Sequence, residues 1–243
     1  MNYDVTTIDG SLDYAEKLSA LSQQTWPEFL RHGDDYHWGE LRKRFARFQL
    51  LFISGSDLIG VGHTVPLRWN NETDSLPDTI EEIILSAIKC HEQKQTPNTL
   101  AALAVMVSAP YRGKGLSTEI LTAMKLLAKE NHLKSLIVPV RPTLKSRYPI
   151  TPFDQYVTWK RTDGSPFDPW LRVHWKLGAS VLRIVPKAMT VEGTVEKWES
   201  WTDVRFPASG EYIVEGALQP IIIDHSNNAG RYEDPNLWML HTI

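Results

Sequence analysis

Apolar and polar residues alternate through NYDVTTI near the start of the chain, and a period of two predicts a short strand. The period then lengthens to that of a helix. Leu12, Ala15, Leu18 and Leu21 share one face of a segment running to about Gln24, with Asp9 or Ser11 placed to cap its start. WPEFLRHGDDYHW breaks the pattern with Pro and Gly and crowds aromatic residues together. A second helix is predicted over about 38–48, with Leu41, Phe45 and Phe48 inward and the cations of RKRFARF on the wet side. QLLFIS and DLIGVGHTV read as two strands around the turn SGSD. Residues 70–98 are polar except where Ile80, Ile83, Ile84, Ala87 and Ile88 recur at helical spacing. A strand over 99–108, a loop, a helix over 116–131 and the strand LKSLIVPV follow. The order is β-α-α-β-β-α-β-loop-α-β, with no internal repeat.

From Arg141 the texture becomes rich in proline and aromatic residues, RPTLKSRYPITPFDQYVTWKRTDGSPFDPW. A helix then starts with Asp168 as cap and Pro169 in its first turn, and Gly178 ends it. SVLRIVPKAMTV reads as a strand, residues 194–202 as a short helix, and EYIVEGALQPIIID contains further strands before a last piece ending PNLWMLHTI.

The chain has 243 residues, enough for one large domain or two small ones. Its apolar share of 42% and charged share of 23% are those of a globular protein whose core needs neither disulfide nor metal. The net charge of −3 and the lack of a dense basic block argue against a nucleic-acid surface. The single cysteine, Cys90, excludes an internal disulfide, and its place near a helix end suits packing. The polar, acidic start is no signal peptide, and no apolar run reaches the ~18–20 residues of a membrane span. The expected location is the cytoplasm, with neither nucleic acid nor membrane as partner.

The stretch APYRGKGLST joins a strand to a helix. Amide N–H groups at a helix start have no intrahelical partner, the helix dipole adds partial positive charge, and glycines leave the approach open. Such a junction can hold a phosphate, with Arg112 and Lys114 raising the local potential. Equally, Gly113 and Gly115 can simply make a turn, with the cations solvated. The loop fits neither the dinucleotide fingerprint, because Thr118 stands where a third glycine belongs, nor the longer P-loop.

Arg112-Gly113-Lys114-Gly115-Leu116-Ser117 resembles the coenzyme A loop of the GCN5-related N-acetyltransferases (GNAT), Arg/Gln-x-x-Gly-x-Gly/Ala, with Ser117 replacing the last small residue. The resemblance covers about residues 2–185. It implies an α/β fold: a mixed, mostly antiparallel sheet splayed at its centre, flanked by helices, here with a strand-rich C-terminal extension. It places a domain over 1–190 with a helical insertion at about 70–98, and the extension over 191–243 packing on it. It also implies that the pyrophosphate of acetyl-CoA, or of another acyl-CoA, sits on the amides of Arg112 to Ser117, and that Val105 and Val107 pair with pantetheine through main-chain groups.

The family often ends its last helix with Tyr-x-x-x-Gly-Phe, whose tyrosine protonates the leaving thiolate. Here His174-Trp175-Lys176-Leu177-Gly178-Ala179 keeps the glycine and puts His174 at the tyrosine position, and imidazole titrates nearer neutrality. A buried helix histidine is the plainer alternative. Thr143, in VRPTLKSRYP, offers a hydroxyl near the cleft mouth or caps a turn, and Arg141, Lys145 and Arg147 offer charge. Thr143 and His174 together resemble, faintly, the GNAT-like loading domains of polyketide synthases, which act on malonyl thioesters and carrier-protein thiols. Trp26, Phe29, Tyr36, His37 and Trp38 either wall an acceptor pocket or fill core. His63, in GVGHTV, faces core or cleft. Asp224-His225 and His241 lack metal-ligand spacing, so no metal is expected. The leading expectation is direct acyl transfer from acyl-CoA to a small-molecule acceptor or a carrier-protein thiol. The alternatives are decarboxylation and S-acyl transfer of malonyl-type thioesters, or a CoA-binding sensor without turnover. The extension offers a surface for pairing two copies of the chain.

Overall fold

Four strands follow one another as antiparallel neighbours: β1 (Asp4–Thr7), β2 (Gln49–Ser54), β3 (Asp57–Leu67) and β4 (Thr99–Val107). A fifth, β5 (Ser135–Val140), joins β4 in parallel. Parallel neighbours need a crossover, which helix α4 (Leu116–Glu130) supplies. The computed structural model describes residues 2–8, 14–32 and 35–243, without the side chains of Asp35 and Tyr36. The expected roles of Asp9, Ser11 and Leu12, and that of the Tyr36 ring, lie outside the described residues.

The chain forms two units. The first comprises Met1–Thr25, Asp34–Pro139 and Met239–Ile243. It holds β1–β5, α4 and the helices α1 (Ala15–Thr25), α2 (Asp35–Arg44) and α3 (Ile80–Glu92). Gly60 and Gly62 of β3 let α4 lie close to the sheet. A Cβ at Gly62 would stand 2.7 Å from Met124 Cε, and one at Gly60 would stand 2.9 Å from Ile120 Cδ1. Ile120, Leu121 and Met124 are fully buried against these strands. Ile83, Ile84 and Ala87 of α3 are buried as their spacing predicts, and a Thr79–Glu82 capping box starts that helix. Cys90 is also buried, which pushes its thiol pKa up. The second predicted helix is shorter than expected. It stops at Arg44, and a tight turn over Ala46–Phe48 leads into β2, yet Leu41, Phe45 and Phe48 all point inward as predicted.

The second unit comprises Trp26–Gly33 and Val140–Trp238. It contains α5 (Phe153–Val157), which carries no clear period in the sequence, α6 (Pro169–Lys176), β6 (Ser180–Gly193), α7 (Val195–Thr202), β7 (Gly210–Tyr212), β8 (Ile221–Asp224) and β9 (Ala229–Thr242). β8 pairs antiparallel with both β7 and β9, and β6 pairs with β9. Its core gathers Phe29, Trp198, Phe206, Ile221 and Tyr232. The Phe29 ring lies 5.5 Å from that of Trp198 and 5.2 Å from that of Tyr232. The end of β9 belongs to the first unit, where Ile243 N–H donates to the Lys134 carbonyl at 3.2 Å. The fold is therefore mixed α/β, with a mostly antiparallel open sheet, flanking helices and a strand-rich C-terminal part.

Candidate active site

The opening in the first unit's sheet begins with a pairing that stops early. β4 pairs with β5 at Thr99–Ser135, Leu100–Leu136 and Ala101–Ile137, and no further. Toward β3 it stays paired through Val107. The β3–β4 register slips at this point, because His63 faces Ala104 while Thr64 faces Ala102, leaving Leu103 as an extra residue. A bulge bends its strand and raises its twist, which turns β4 away from β5. Ala104, Val105 and Val107 beyond it are half-buried, and their edge away from β3 has no strand partner. Their main-chain N–H and C=O groups on that edge can receive an extended ligand as a strand would.

The loop after β4 completes the arrangement. Gly113 and Gly115 have φ of 73° and 89°, left-handed values that favour glycine, and Gly115 is the N-cap of α4. A Cβ at either would meet no atom within 4 Å, so the space above the loop is open. The first bonds into the new helix run from Thr118 and Glu119 N–H to the Gly115 carbonyl, at 2.9 and 3.3 Å. Among the described residues, the N–H groups of Gly113, Lys114, Gly115, Leu116 and Ser117 reach no acceptor. Five free amides at the start of a 15-residue helix form an anion cradle with the positive end of the dipole behind it. The Arg112 side chain does not project into that space. Its Nε donates to the Val107 carbonyl at 3.0 Å and its Nη2 to the Gln24 carbonyl at 2.8 Å, tying the loop to the ends of β4 and α1. Lys114 is exposed, with Nζ 5.6 Å from the Tyr111 ring centre.

On the sheet face opposite α4 lies a polar group that the sequence left open. Side chains alternate along a strand, so His63 faces away from α4 if Gly62 faces toward it. His63 Nδ1 lies 2.9 Å from Gln49 Oε1, and the Gln49 amide nitrogen donates to the carbonyls of Phe45 and Thr64 at 2.9 and 2.7 Å. The Trp38 ring of α2 meets the imidazole edge-to-face at 5.6 Å. His63 is 9% exposed, and burial together with the nearby Arg42 charge lowers its pKa to about 4. Gln49, missed by sequence reasoning, did carry a signal: it is a polar residue at the head of the buried run QLLFIS.

The other expected residues fall in the second unit. His174 is fully buried on α6, its ring 4.4 Å from that of Trp170, while Thr143 is exposed. Asp168 caps α6 as predicted: Oδ1 accepts from the amides of Trp170 and Leu171, and Oδ2 accepts from the Tyr156 hydroxyl and the Leu144 amide. Two of the cations expected to supply free charge are instead tied down. Arg141 Nε donates to both Asp234 oxygens at 3.0 Å and Nη2 to the Gly216 carbonyl at 2.8 Å. Lys145 is 1% exposed, donates to the carbonyls of Tyr148 and Leu218, and is lowered to about 8 by burial. Arg147 is exposed. Of the aromatic cluster, Phe29 fills core and Trp26 packs against it half-buried. Among the described residues, no three His, Cys, Asp or Glu side chains are grouped to hold a metal, and no helix is long and apolar enough to cross a membrane.

No protein-family profile matches the chain. The arginine N-acetyltransferase avaD of Aspergillus versicolor is 31% identical over 249 aligned positions, covering 90% of this chain and 85% of that protein. Among solved structures, the loading GNATL domain of CurA from Lyngbya majuscula superposes with a TM-score of 0.68 at 15% identity, covering 100% of this chain and 98% of that one. The GphF GNAT-like decarboxylase in complex with isobutyryl-CoA superposes at 0.61, also at 15% identity, covering 98% of each. At these identities the two superpositions establish a shared fold.

Proposed function

The chain belongs to the GCN5-related N-acetyltransferases and is an acyl-CoA-dependent acyltransferase, and from that premise we propose that it moves an acetyl group from acetyl-CoA to the amine of a small molecule of the arginine type. The observation that carries this reading is the row of free amides from Gly113 to Ser117 beside an unpaired strand edge. The amides receive the pyrophosphate, and the main-chain groups of Val105 and Val107 hold the pantetheine. Holding donor and acceptor side by side supplies most of the catalysis, and main-chain N–H groups polarise the thioester carbonyl. The arginine acceptor is carried over from the relative's name. Trp38 serves as a wall on the acceptor side. His174, from the helix-ending run that carries Gly178, is the proposed acid for the departing thiolate, with Thr143 as an accessory hydroxyl.

The test is incubation with acetyl-CoA and arginine, followed by mass spectrometry and thiol release. Acetylarginine and free CoA in equal amounts support the proposal. Parallel incubation with malonyl-CoA and no amine asks for the other chemistry, and acetyl-CoA appearing there would replace acetyl transfer with decarboxylation. Acetyl-CoA bound but left intact across a panel of amines would make the protein a CoA sensor. Replacing His174 with Ala is expected to lower turnover while leaving acetyl-CoA affinity in place, and unchanged turnover removes His174 from the mechanism.

A further inference from the structure

The hydrogen bonds around Gln49 fix the protonation state of a neighbouring residue. Two main-chain carbonyls, those of Phe45 and Thr64, lie 2.9 and 2.7 Å from one end of the Gln49 amide. Carbonyls can only accept, so that end is the NH₂ group and both of its hydrogens are committed. The other end is then the oxygen, which can only accept, and His63 Nδ1 lies 2.9 Å from it. His63 Nδ1 must therefore carry the proton. In a neutral imidazole this leaves Nε2 with an open lone pair.

The surroundings match a receptor for an N–H donor. His63 sits directly across from Ala104, the first β4 residue beyond the bulge, at the point where β4 has parted from β5. The ring is nearly but not wholly buried beneath half-buried Trp38. The ring meets Gln49 from β2 and Trp38 from α2, its residue stands across from Ala104 of β4, and the positive charge of Arg42 from α2 is near. Among the described residues, no carboxylate raises the proton affinity of the ring.

We propose that His63 is the acceptor-side catalytic residue of this acyltransferase: its Nε2 accepts a hydrogen bond from the N–H of the incoming neutral amine and so aims the nitrogen lone pair at the thioester carbon. The proposal rests on the acyl-transfer reading above. As the amine's lone pair forms the C–N bond, the C–S bond breaks and its electrons leave on sulfur. The amine gives up one proton, the sulfur gains one, and the products are the amide and the free thiol. His63 stays neutral throughout because burial and Arg42 oppose its charging. It orients the nucleophile through Nε2, holds its own proton on Nδ1 throughout and takes none from the amine.

Nitrogen-15 spectra of the parent protein at neutral pH should show His63 Nδ1 protonated and Nε2 bare, and Nε2 should shift when arginine is added in the presence of CoA. In His63→Phe, which keeps a planar ring without the acceptor, acetyl-CoA affinity by calorimetry should stay within about twofold. The kcat/KM for the amine should fall at least about tenfold, as expected for one oriented hydrogen bond. His63→Gln, which restores an acceptor oxygen near the same reach, should recover part of the loss; a residue that only packed would give no such recovery. A protonated Nε2, or full amine kcat/KM in His63→Phe, overturns the proposal. Failure of the parent to bind acetyl-CoA would instead strike the acyl-transfer reading, and the tautomer is read independently of it.

Discussion

Gly115 separates the strain of the loop from the loop's use. At φ 89° and ψ −6° it holds a left-handed conformation at the N-cap of α4, and a Cβ there would meet no protein atom within 4 Å. Gly115→Ala therefore pays for backbone strain alone, about 1–2 kcal/mol for an L-residue in that region. For a chain of this size each kcal/mol moves Tm by roughly 2–4 °C, so a drop of about 2–8 °C is expected. The new methyl would occupy the space in which the pyrophosphate is proposed to lie. Losing a close approach to the free amides should weaken acetyl-CoA binding at least about tenfold, equivalent to about 1.4 kcal/mol. Gly115→Asn distinguishes the two effects. Asn tolerates left-handed φ, so it should regain much of the Tm while still blocking the anion. The assays are differential scanning fluorimetry and calorimetric titration with acetyl-CoA. A variant that loses Tm but binds acetyl-CoA like the parent would show that the open space is not the pyrophosphate site. If Asn restored both properties, the reasoning about the ligand's approach would fail.

Gly39, inside α2 with nothing within 4 Å of its would-be Cβ, is the control: Gly39→Ala should raise stability by about 0.5–1 kcal/mol through helix propensity, and a lower Tm would contradict this. Gly230→Ala would place its Cβ 2.2 Å from Cδ1 of the fully buried Trp198, so the indole must move; an overpacking loss of at least about 1–3 kcal/mol, seen in urea titration with a changed tryptophan spectrum, is expected. His63 binds a proton more weakly folded, at about 4, than in the unfolded chain, at 6.5. Its contribution is therefore complete above pH 6.5 and is lost as pH falls toward 4, amounting to about 3 kcal/mol. The Tm difference between pH 7 and pH 4 should be smaller in His63→Gln than in the parent, and an equal fall in both would refute it.

How much could be read from the sequence followed the local demands of the backbone. The loop was legible because a left-handed φ at two nearby positions calls for glycine, and Gly113 and Gly115 appear as such between an apolar strand and an amphipathic helix. The capped start and glycine stop of α6 were legible for the same reason, since Asp168 and Gly178 act on amides and dihedrals within a few residues of themselves. The charges of Arg141 and Lys145 were not. Lys145 has one local partner, the Tyr148 carbonyl, but Asp234, Gly216 and Leu218 lie 73 or more positions away in sequence, and no local pattern announces a pairing at that range. Phe29 was equally ambiguous, because an aromatic ring lining a pocket and one filling a core obey the same spacing.

The His63 site shows the harder limit, which is register. Gly55 turns the β2–β3 hairpin and Ser54 starts it opposite Asp57. Continued without interruption, that register would bring Gln49 opposite Gly62. The pairing instead slips between Phe52 and Ile53, leaving Ile59 as an extra buried residue, and Gln49 arrives opposite His63. A second slip, at Leu103, puts His63 across from Ala104 at the point where β4 leaves β5. Ile59 and Leu103 are apolar residues in apolar strands, so neither bulge leaves a mark in composition or period. Because a one-residue slip changes which side chains meet across a pair of strands, the tautomer of the imidazole depends on the first displacement and its place beside the opening on the second, and the sequence displays neither. What the sequence does display is the misfit that the slips resolve. A glutamine heading a buried strand must spend its donors on something, and here it spends them on the carbonyls of Phe45 and Thr64, leaving its oxygen to hold the His63 proton on Nδ1.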